Sequence, residues 1–411
     1  MGAVTRVGIE KLRVYPCSLA LDLEALCRAR GRDPVELRET MMVDERSVNP
    51  PWEDPVTMAV NAADLLLADE DRRAIELLIV ATESGVDQEK PISAWVHRHL
   101  GLSSSCRNFE VKHACYGGTA GLQMAAHWIA QAREGAKALV ISTDESRMHL
   151  GKPWEYVLGA GAAAVLVSKR PRLVELELGA SGFYSNEVSD LIRPSSRVET
   201  GDSETSLLSY LEAIEGAYDD YCRRTGRPAD VAAHSKKIVY HVPFGGMTFL
   251  AHKTLLRRER TPSRSEAWAD YEKRSGASLR YTRRMGGTYS ASTFIALLGL
   301  VDGSDDLAPG DRVSVFSYGS GSCAEFYSVL VAEEARAAAR EAGLARLLDE
   351  RHRLSVQDYE EVERERTRAV DNGDFETRTS CPEDWYERRY RGRGLLVFRG
   401  SAEHYRRYER S

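Results

Sequence analysis

Two hydrophobic patterns alternate along this chain. Ile75-Glu76-Leu77-Leu78-Ile79-Val80-Ala81-Thr82 is nearly continuous apolar sequence, as a strand buried on both faces requires. Ala138-Leu139-Val140-Ile141-Ser142 repeats that signature, and the Gly/Ala-rich stretch 159–168 ends in another strand, Ala164-Val165-Leu166-Val167. Between these runs, residues 117–133 read as a helix. Residues 55–67 read as another, with Asp54 as its N-cap and Pro55 in its first turn. A partly alternating strand opens the chain at 7–15, and residues 22–30 predict a helix that Gly31 ends. Strand alternating with helix argues for an α/β architecture.

The second half follows the same grammar. A strand is predicted at 173–178, a long helix from 206 to about 224 and a short strand at 237–240. Helices follow at 247–257 and 290–300, and Val313-Ser314-Val315-Phe316 reads as the last core strand before a Gly/Ser turn. Beyond Ala332 the composition shifts to Glu and Arg. Residues 332–349 and 356–368 are expected to be solvated helices with opposite charges at helical spacing, and 395–398 to add a final strand. Two similar halves are expected, 1–172 and 173–411, the second ending in a charged helical segment from about 333.

Composition narrows the class. With 411 residues and 43% hydrophobic content the chain can bury a large core, and its net charge of -6 points to no nucleic-acid partner. No apolar run reaches the roughly 18 residues of a membrane span, and no signal-peptide pattern opens the sequence. The seven cysteines are scattered without a CxxC pair, against both a disulfide framework and a zinc site. A soluble cytoplasmic protein is expected.

Candidate chemistry sits at strand ends and helix starts. Cys115, in His113-Ala114-Cys115-Tyr116-Gly117-Gly118-Thr119-Ala120, follows an extended segment and opens a small-residue helix. The positive end of the helix dipole is expected to lower its pKa, and Gly117 and Gly118 to allow close approach of backbone and substrate. Glu83 ends an apolar strand, where α/β sheets hold their ligands; part-burial would make it a general base. Alone it is equally a loop glutamate or a cap. His241 follows a strand in Tyr240-His241-Val242-Pro243-Phe244-Gly245-Gly246-Met247. Gly319-Ser320-Gly321 either presents backbone N–H groups to an oxyanion or is an ordinary tight turn. No P-loop, GxSxG or HExxH motif is present, and Gly159-Ala160-Gly161 reads as close packing.

Together these runs resemble the 3-hydroxy-3-methylglutaryl-CoA synthase family of the thiolase superfamily. The resemblance spans nearly the whole chain. It includes Val7-Gly8-Ile9-Glu10, Pro51-Trp52-Glu53-Asp54-Pro55, Ala81 through Gly85, Ala114 through Leu122, Ser142-Thr143-Asp144, Phe316 through Ser322 and Tyr405-Arg406-Arg407-Tyr408. It implies a five-layered αβαβα fold, a homodimer, and no metal or redox cofactor, the substrates being thioesters of CoA or phosphopantetheine. It also implies the catalytic set Cys115 as nucleophile, Glu83 as general base and His241 polarising the acceptor, with oxyanion donors at Cys115 and Ser320 beside Gly319. One departure stands out: the family's Gly-Asn reads Gly286-Gly287 here, so a polar contact to the acyl substrate is missing or supplied elsewhere.

Gly179 through Tyr184, 201–211 and His241 through Met247 with Ala251-His252-Lys253 resemble the polyketide β-branching members more than the mevalonate enzyme. That branch implies donor and acceptor acyl carrier proteins as partners, and a basic surface for which Arg257, Arg258 and Arg260 are candidates. The alternatives are a mevalonate-pathway synthase using free CoA esters and a non-catalytic member that binds carrier protein. A ketosynthase III would need a Cys-His-Asn set, which Glu83 and Gly287 argue against.

Overall fold

The computed structural model describes residues 6–411. The two-faced strands fall into one mixed sheet: β1 (Gly8–Tyr15), β2 (Ile75–Ala81), β3 (Arg107–Val111), β4 (Lys137–Glu145), β5 (Ala160–Ser168), β6 (Val174–Ser185), β9 (Lys237–Tyr240), β10 (Arg312–Gly319) and β11 (Cys323–Val331). A separate hairpin, β7 (Leu191–Ser195) and β8 (Val198–Gly201), stands outside it. The sheet order is β9-β10-β11-β6-β1-β5-β4-β2-β3. β2 runs parallel to β3 and β4, β9 parallel to β10, and the remaining neighbours are antiparallel.

This order contains one pattern twice. In β1-β5-β4-β2 and again in β6-β11-β10-β9, the first strand pairs antiparallel with the last, which pairs antiparallel with its predecessor, which pairs parallel with an earlier strand. β5 ends at Ser168 and β6 begins at Val174, where one pattern gives way to the other.

Helices α1 (Pro55–Asp64), α2 (Ile92–His99), α3 (Gly117–Gln131), α4 (Ser203–Thr225), α5 (Gly245–Glu259), α6 (Ala291–Gly303) and α7 (Val356–Ala369) complete the frame. Side chains alternate along a strand, so each sheet segment feeds two cores. Leu77, Ile79, Val140 and Val165 share the central core with Val239, Val313 and Val315, around Leu122 and Ile129 of α3 and Phe294 and Leu297 of α6. Their neighbours Leu78, Val80, Leu139 and Ile141 face the other way, onto α1 and α2. Tyr240, Phe316 and Phe326 pack on Ile214 and Tyr218 of α4 and Ala251 and Leu255 of α5. The result is the expected αβαβα stack, with α3 and α6 as the buried middle layer.

The middle layer depends on small residues. A Cβ on Gly118 would lie 2.4 Å from Ser142 Oγ and 2.9 Å from the Phe294 ring, so this glycine lets α3 touch β4 and α6 together. The close approach it permits is between packed elements. Asp54 fixes the start of α1: Oδ1 accepts from the Thr57 N–H at 2.9 Å, and Oδ2 accepts from Arg406 at 2.6 Å and Tyr408 at 2.7 Å. Two motifs about 350 residues apart in sequence thus meet on one carboxylate.

Two expectations fail. Residues 313–316 are not in the last core strand, because β11 follows the Gly/Ser turn and lies between β10 and β6. The segment after Ala332 is not merely solvated: Ala335, Ala338 and Ala339 enter the central core, and α7 buries Tyr359, Val362 and Glu363. A high count of charges hid the narrow apolar stripe on each helix. The terminal strand forms at Leu396–Ala402 and pairs with Tyr405–Arg410.

Adjacent glycines should behave differently. Gly118→Ala is expected to lower stability by about 1–3 kcal/mol through overpacking. Gly117→Ala, whose Cβ would meet its nearest atoms at an ordinary 3.4 Å, should change it by less than about 1 kcal/mol. Urea midpoints of the two variants check the contrast; equal losses would refute it.

Candidate active site

Glu83 and His241 leave equivalent strands. Glu83 lies two residues past β2 and His241 directly follows β9, the parallel neighbours of β4 and β10 in the two halves. Cys115 lies two residues before α3, after Ala114, whose φ of 41° is in the left-handed region. A matching kink, Tyr289 with φ 51°, precedes α6.

The structure brings Cys115 and Glu83 together: the thiol donates to Glu83 Oε1 at 3.7 Å. Both keep part of their surface exposed, beside a cavity of about 850 Å³ lined by Thr82, Glu83, His113, Ala114 and Ser320. Gly319 ends β10 against this segment, where a Cβ would lie 2.6 Å from the His113 carbonyl and 2.7 Å from Tyr116 N. His241 is 1% exposed and is not among the residues that line the cavity. Its Nδ1 faces Ser292 Oγ at 3.1 Å, its N–H donates to the Phe316 carbonyl, and its carbonyl accepts from Tyr210. Among the described residues, no hydrogen bond joins His241 to Cys115 or Glu83.

Electrostatics corrects the reading of Cys115. Burial, with the carboxylates of Glu83, Asp144 and Asp190 nearby, pushes its thiol well above the ordinary range. The half-charge of a helix N-terminus cannot offset desolvation and three acids. The resting thiol is therefore protonated and needs a base. Burial also raises Glu83, to about 8, with Asp144 adding repulsion. Asp144 is itself pushed up to about 7 by burial. The two carboxyls titrate as an interacting pair. Burial lowers His241 to about 3, so its imidazole is neutral at physiological pH.

Gly287 is placed where no side chain fits. A Cβ would lie 2.3 Å from the Pro243 carbonyl, and its own N–H donates to Val157 O at 2.6 Å, so it offers no donor to a substrate. The polar neighbour on His241 is Ser292 instead.

Several site residues were given no role by the sequence reading, Asp144 entering only within a family motif. Asp144, at the end of β4, accepts from Glu83 N at 2.9 Å, Thr82 Oγ1 at 3.1 Å and Ser84 Oγ at 2.8 Å. Its place at a parallel strand end, like that of Glu83, is the signal that could have found it. Arg193 donates to the Glu83 carbonyl at 2.9 Å. Arg366, from the supposedly solvated α7, lines the cavity and pairs with buried Glu145 at 2.8 Å. No local pattern marks these two.

Comparison with known proteins identifies the family. The C-terminal model of hydroxymethylglutaryl-coenzyme A synthase matches residues 252–390. The chain is 40% identical over 367 residues to the polyketide biosynthesis 3-hydroxy-3-methylglutaryl-ACP synthase PksG of Bacillus subtilis (strain 168), covering 86% of this chain and 87% of that one. It is 34% identical over 359 residues to the hydroxymethylglutaryl-CoA synthase of Enterococcus faecalis, covering 86% and 90%. The crystal structure of the curacin biosynthetic pathway HMG synthase in complex with acetyl donor-ACP superposes with a TM-score of 0.93 at 38% identity, over 99% of this chain and 100% of that one. With such likeness along most of its length, the chain belongs to the hydroxymethylglutaryl-CoA synthase family.

Proposed function

We propose that this enzyme condenses a Cys115-bound acetyl group with the β-ketone of a β-ketoacyl thioester carried on an acyl carrier protein, in polyketide β-branching. The observation that carries the reading is the 3.7 Å contact of the Cys115 thiol with Glu83 beside an open cavity. Cys115 attacks the donor thioester, and its proton passes through a base to the departing carrier sulfur, which leaves as the thiol. Glu83 then takes a proton from the acetyl methyl, and the resulting carbanion equivalent attacks the ketone carbon. His241 holds the ketone oxygen. When the Ser292 hydroxyl donates to Nδ1, the imidazole proton sits on Nε2, the donor that oxygen needs. The Cys115 and Ser320 N–H groups form the oxyanion hole; the Gly321 N–H is already committed to Asp190 at 3.0 Å. Water releases the product by hydrolysing the Cys115 thioester.

Carrier proteins as partners follow from the likeness to PksG and to the curacin synthase, whose names and titles specify ACP. Of the basic candidates, Arg258 is engaged by Glu215 and Asp219, and Arg260 lies 3.7 Å from Asp270. Arg257 is exposed at the end of α5 and is the better-placed contact for an acidic carrier. The chemistry uses thioester substrates and calls for no metal or redox group. Seven free thiols, one of them the nucleophile, suit a reducing cytoplasm. The β3 edge, paired on one side only, offers a surface for homodimerisation. Free CoA esters as substrates are the second reading, supported by the likeness to the Enterococcus faecalis enzyme.

Glu83→Ala should still acquire one acetyl group at Cys115, seen by intact mass, while condensation falls at least about 10²-fold. Full condensation in this variant would sink the mechanism. Acetyl-carrier protein should load Cys115 much faster than acetyl-CoA; equal rates would favour the second reading. Because Glu83 is the base only when ionised, condensation by acetylated enzyme should rise with pH and level off above about 8. A rate flat from pH 6 to 9 (roughly the window a base of that strength must titrate in) would contradict this.

A further inference from the structure

We propose that Arg193 is a positioning residue for the condensation step: the β7–β8 hairpin carries it to Glu83, where it clamps the backbone and sets a positive charge beside the carboxylate. The inference rests on Glu83 being the base.

The hairpin is a two-stranded ribbon outside the main sheet, tied down at both ends. At its base, fully buried Asp190 accepts from the Tyr318 hydroxyl at 3.0 Å and the Gly321 N–H at 3.0 Å, which anchors the ribbon to the Gly319–Ser322 turn. At its tip, Ser196 Oγ donates to Asp371 at 2.6 Å and Arg197 Nε to the same carboxylate at 3.1 Å, just past α7. Leu191 and Ile192 are each 45% exposed, whereas Arg193 turns inward with its side chain 17% exposed. Its guanidinium divides between the halves: Nη1 donates to the Glu83 carbonyl at 2.9 Å, and Nη2 to Glu199 Oε2 at 2.8 Å and the Tyr289 hydroxyl at 3.4 Å.

These contacts answer a specific need. The loop after β2 has its Glu83 N–H held by Asp144 and its Ser84 carbonyl by Arg147 at 3.2 Å; Arg193 holds the carbonyl between them. The groups that face the Glu83 carboxyl include Asp144 from β4, Glu199 from β8, the Cys115 thiol before α3 and Tyr289 before α6. Each of these is anionic or neutral, and Arg193 supplies the positive charge that favours the ionised base. Burial works against the guanidinium's own charge, but Tyr289, Glu199 and Glu83 outweigh it. A planar fork is required to reach all three partners at once, which lysine cannot do.

The test separates the two half-reactions in the full chain, using acetyl-carrier protein as donor and a β-ketoacyl-carrier protein as acceptor. Arg193→Gln should load acetyl at Cys115 within about two-fold of wild type, lose about 10- to 100-fold in condensation kcat, and shift the rising pH limb alkaline by about one unit. Arg193→Lys should return the limb close to its wild-type position while kcat stays about 10-fold low. A limb that stays put in Arg193→Gln, or acetylation that falls in step with condensation, would overturn the proposal, since a merely structural hairpin gives either result. Failure of the underlying reading shows elsewhere, as condensation retained by Glu83→Ala with Arg193 intact.

Discussion

The close approach of α3 to β4 and α6 at Gly118 is the constraint on which the rest of this structure depends. α6 is buried along most of its length and α3 along the face that meets it, so their separation is set by side-chain size at the crossing, and only a hydrogen fits at that point. Cys115 is positioned by the start of α3, and Tyr289 and Ser292 by the start of α6. Packing of the middle layer therefore fixes the distance between the nucleophile and the groups from the second half.

Around that frame the active site is assembled from acids. Glu83, Asp144 and Asp190 lie about the thiol, and the electrostatic result is a protonated Cys115 with raised Glu83 and Asp144 carboxyls. This differs from a nucleophile activated by a helix dipole or an imidazolium. Here the burial and neighbouring acids that suppress a resting thiolate also raise the Glu83 carboxyl, which in the proposed mechanism makes it a stronger base for a weakly acidic methyl proton. The neutral His241 contacts Ser292 and makes no hydrogen bond to the thiol, and in the proposed mechanism it serves the ketone oxygen.

Much of the fold was legible. The strands at 75–81 and 138–142 carry nearly continuous apolar sequence because both faces are buried, and the structure places them as parallel neighbours in the sheet. The strand Cys323–Val331 was missed because Glu325, Ser328 and a preceding Gly/Ser turn mask its pattern; Glu325 is satisfied by Ser181 and Tyr116. The C-terminal segment misled for the opposite reason, since Arg366 and Glu363 look solvent-bound until their buried partners are known. In the site, Cys115, Glu83 and His241 stood out by motif, whereas Arg193 and Arg366 did not.

Sequence alone determined the strand and helix rhythm, the small residues at the start of α3 and the chemical types at the strand ends, because these are local choices written in period and composition. Tertiary structure decided what those groups experience. It gathered three carboxylates about one thiol, filled the Gly287 position with the Pro243 carbonyl, and swung a hairpin arginine onto Glu83. Desolvation and charge–charge interaction depend on distance in space, and the residues concerned lie up to about 110 positions apart along the chain.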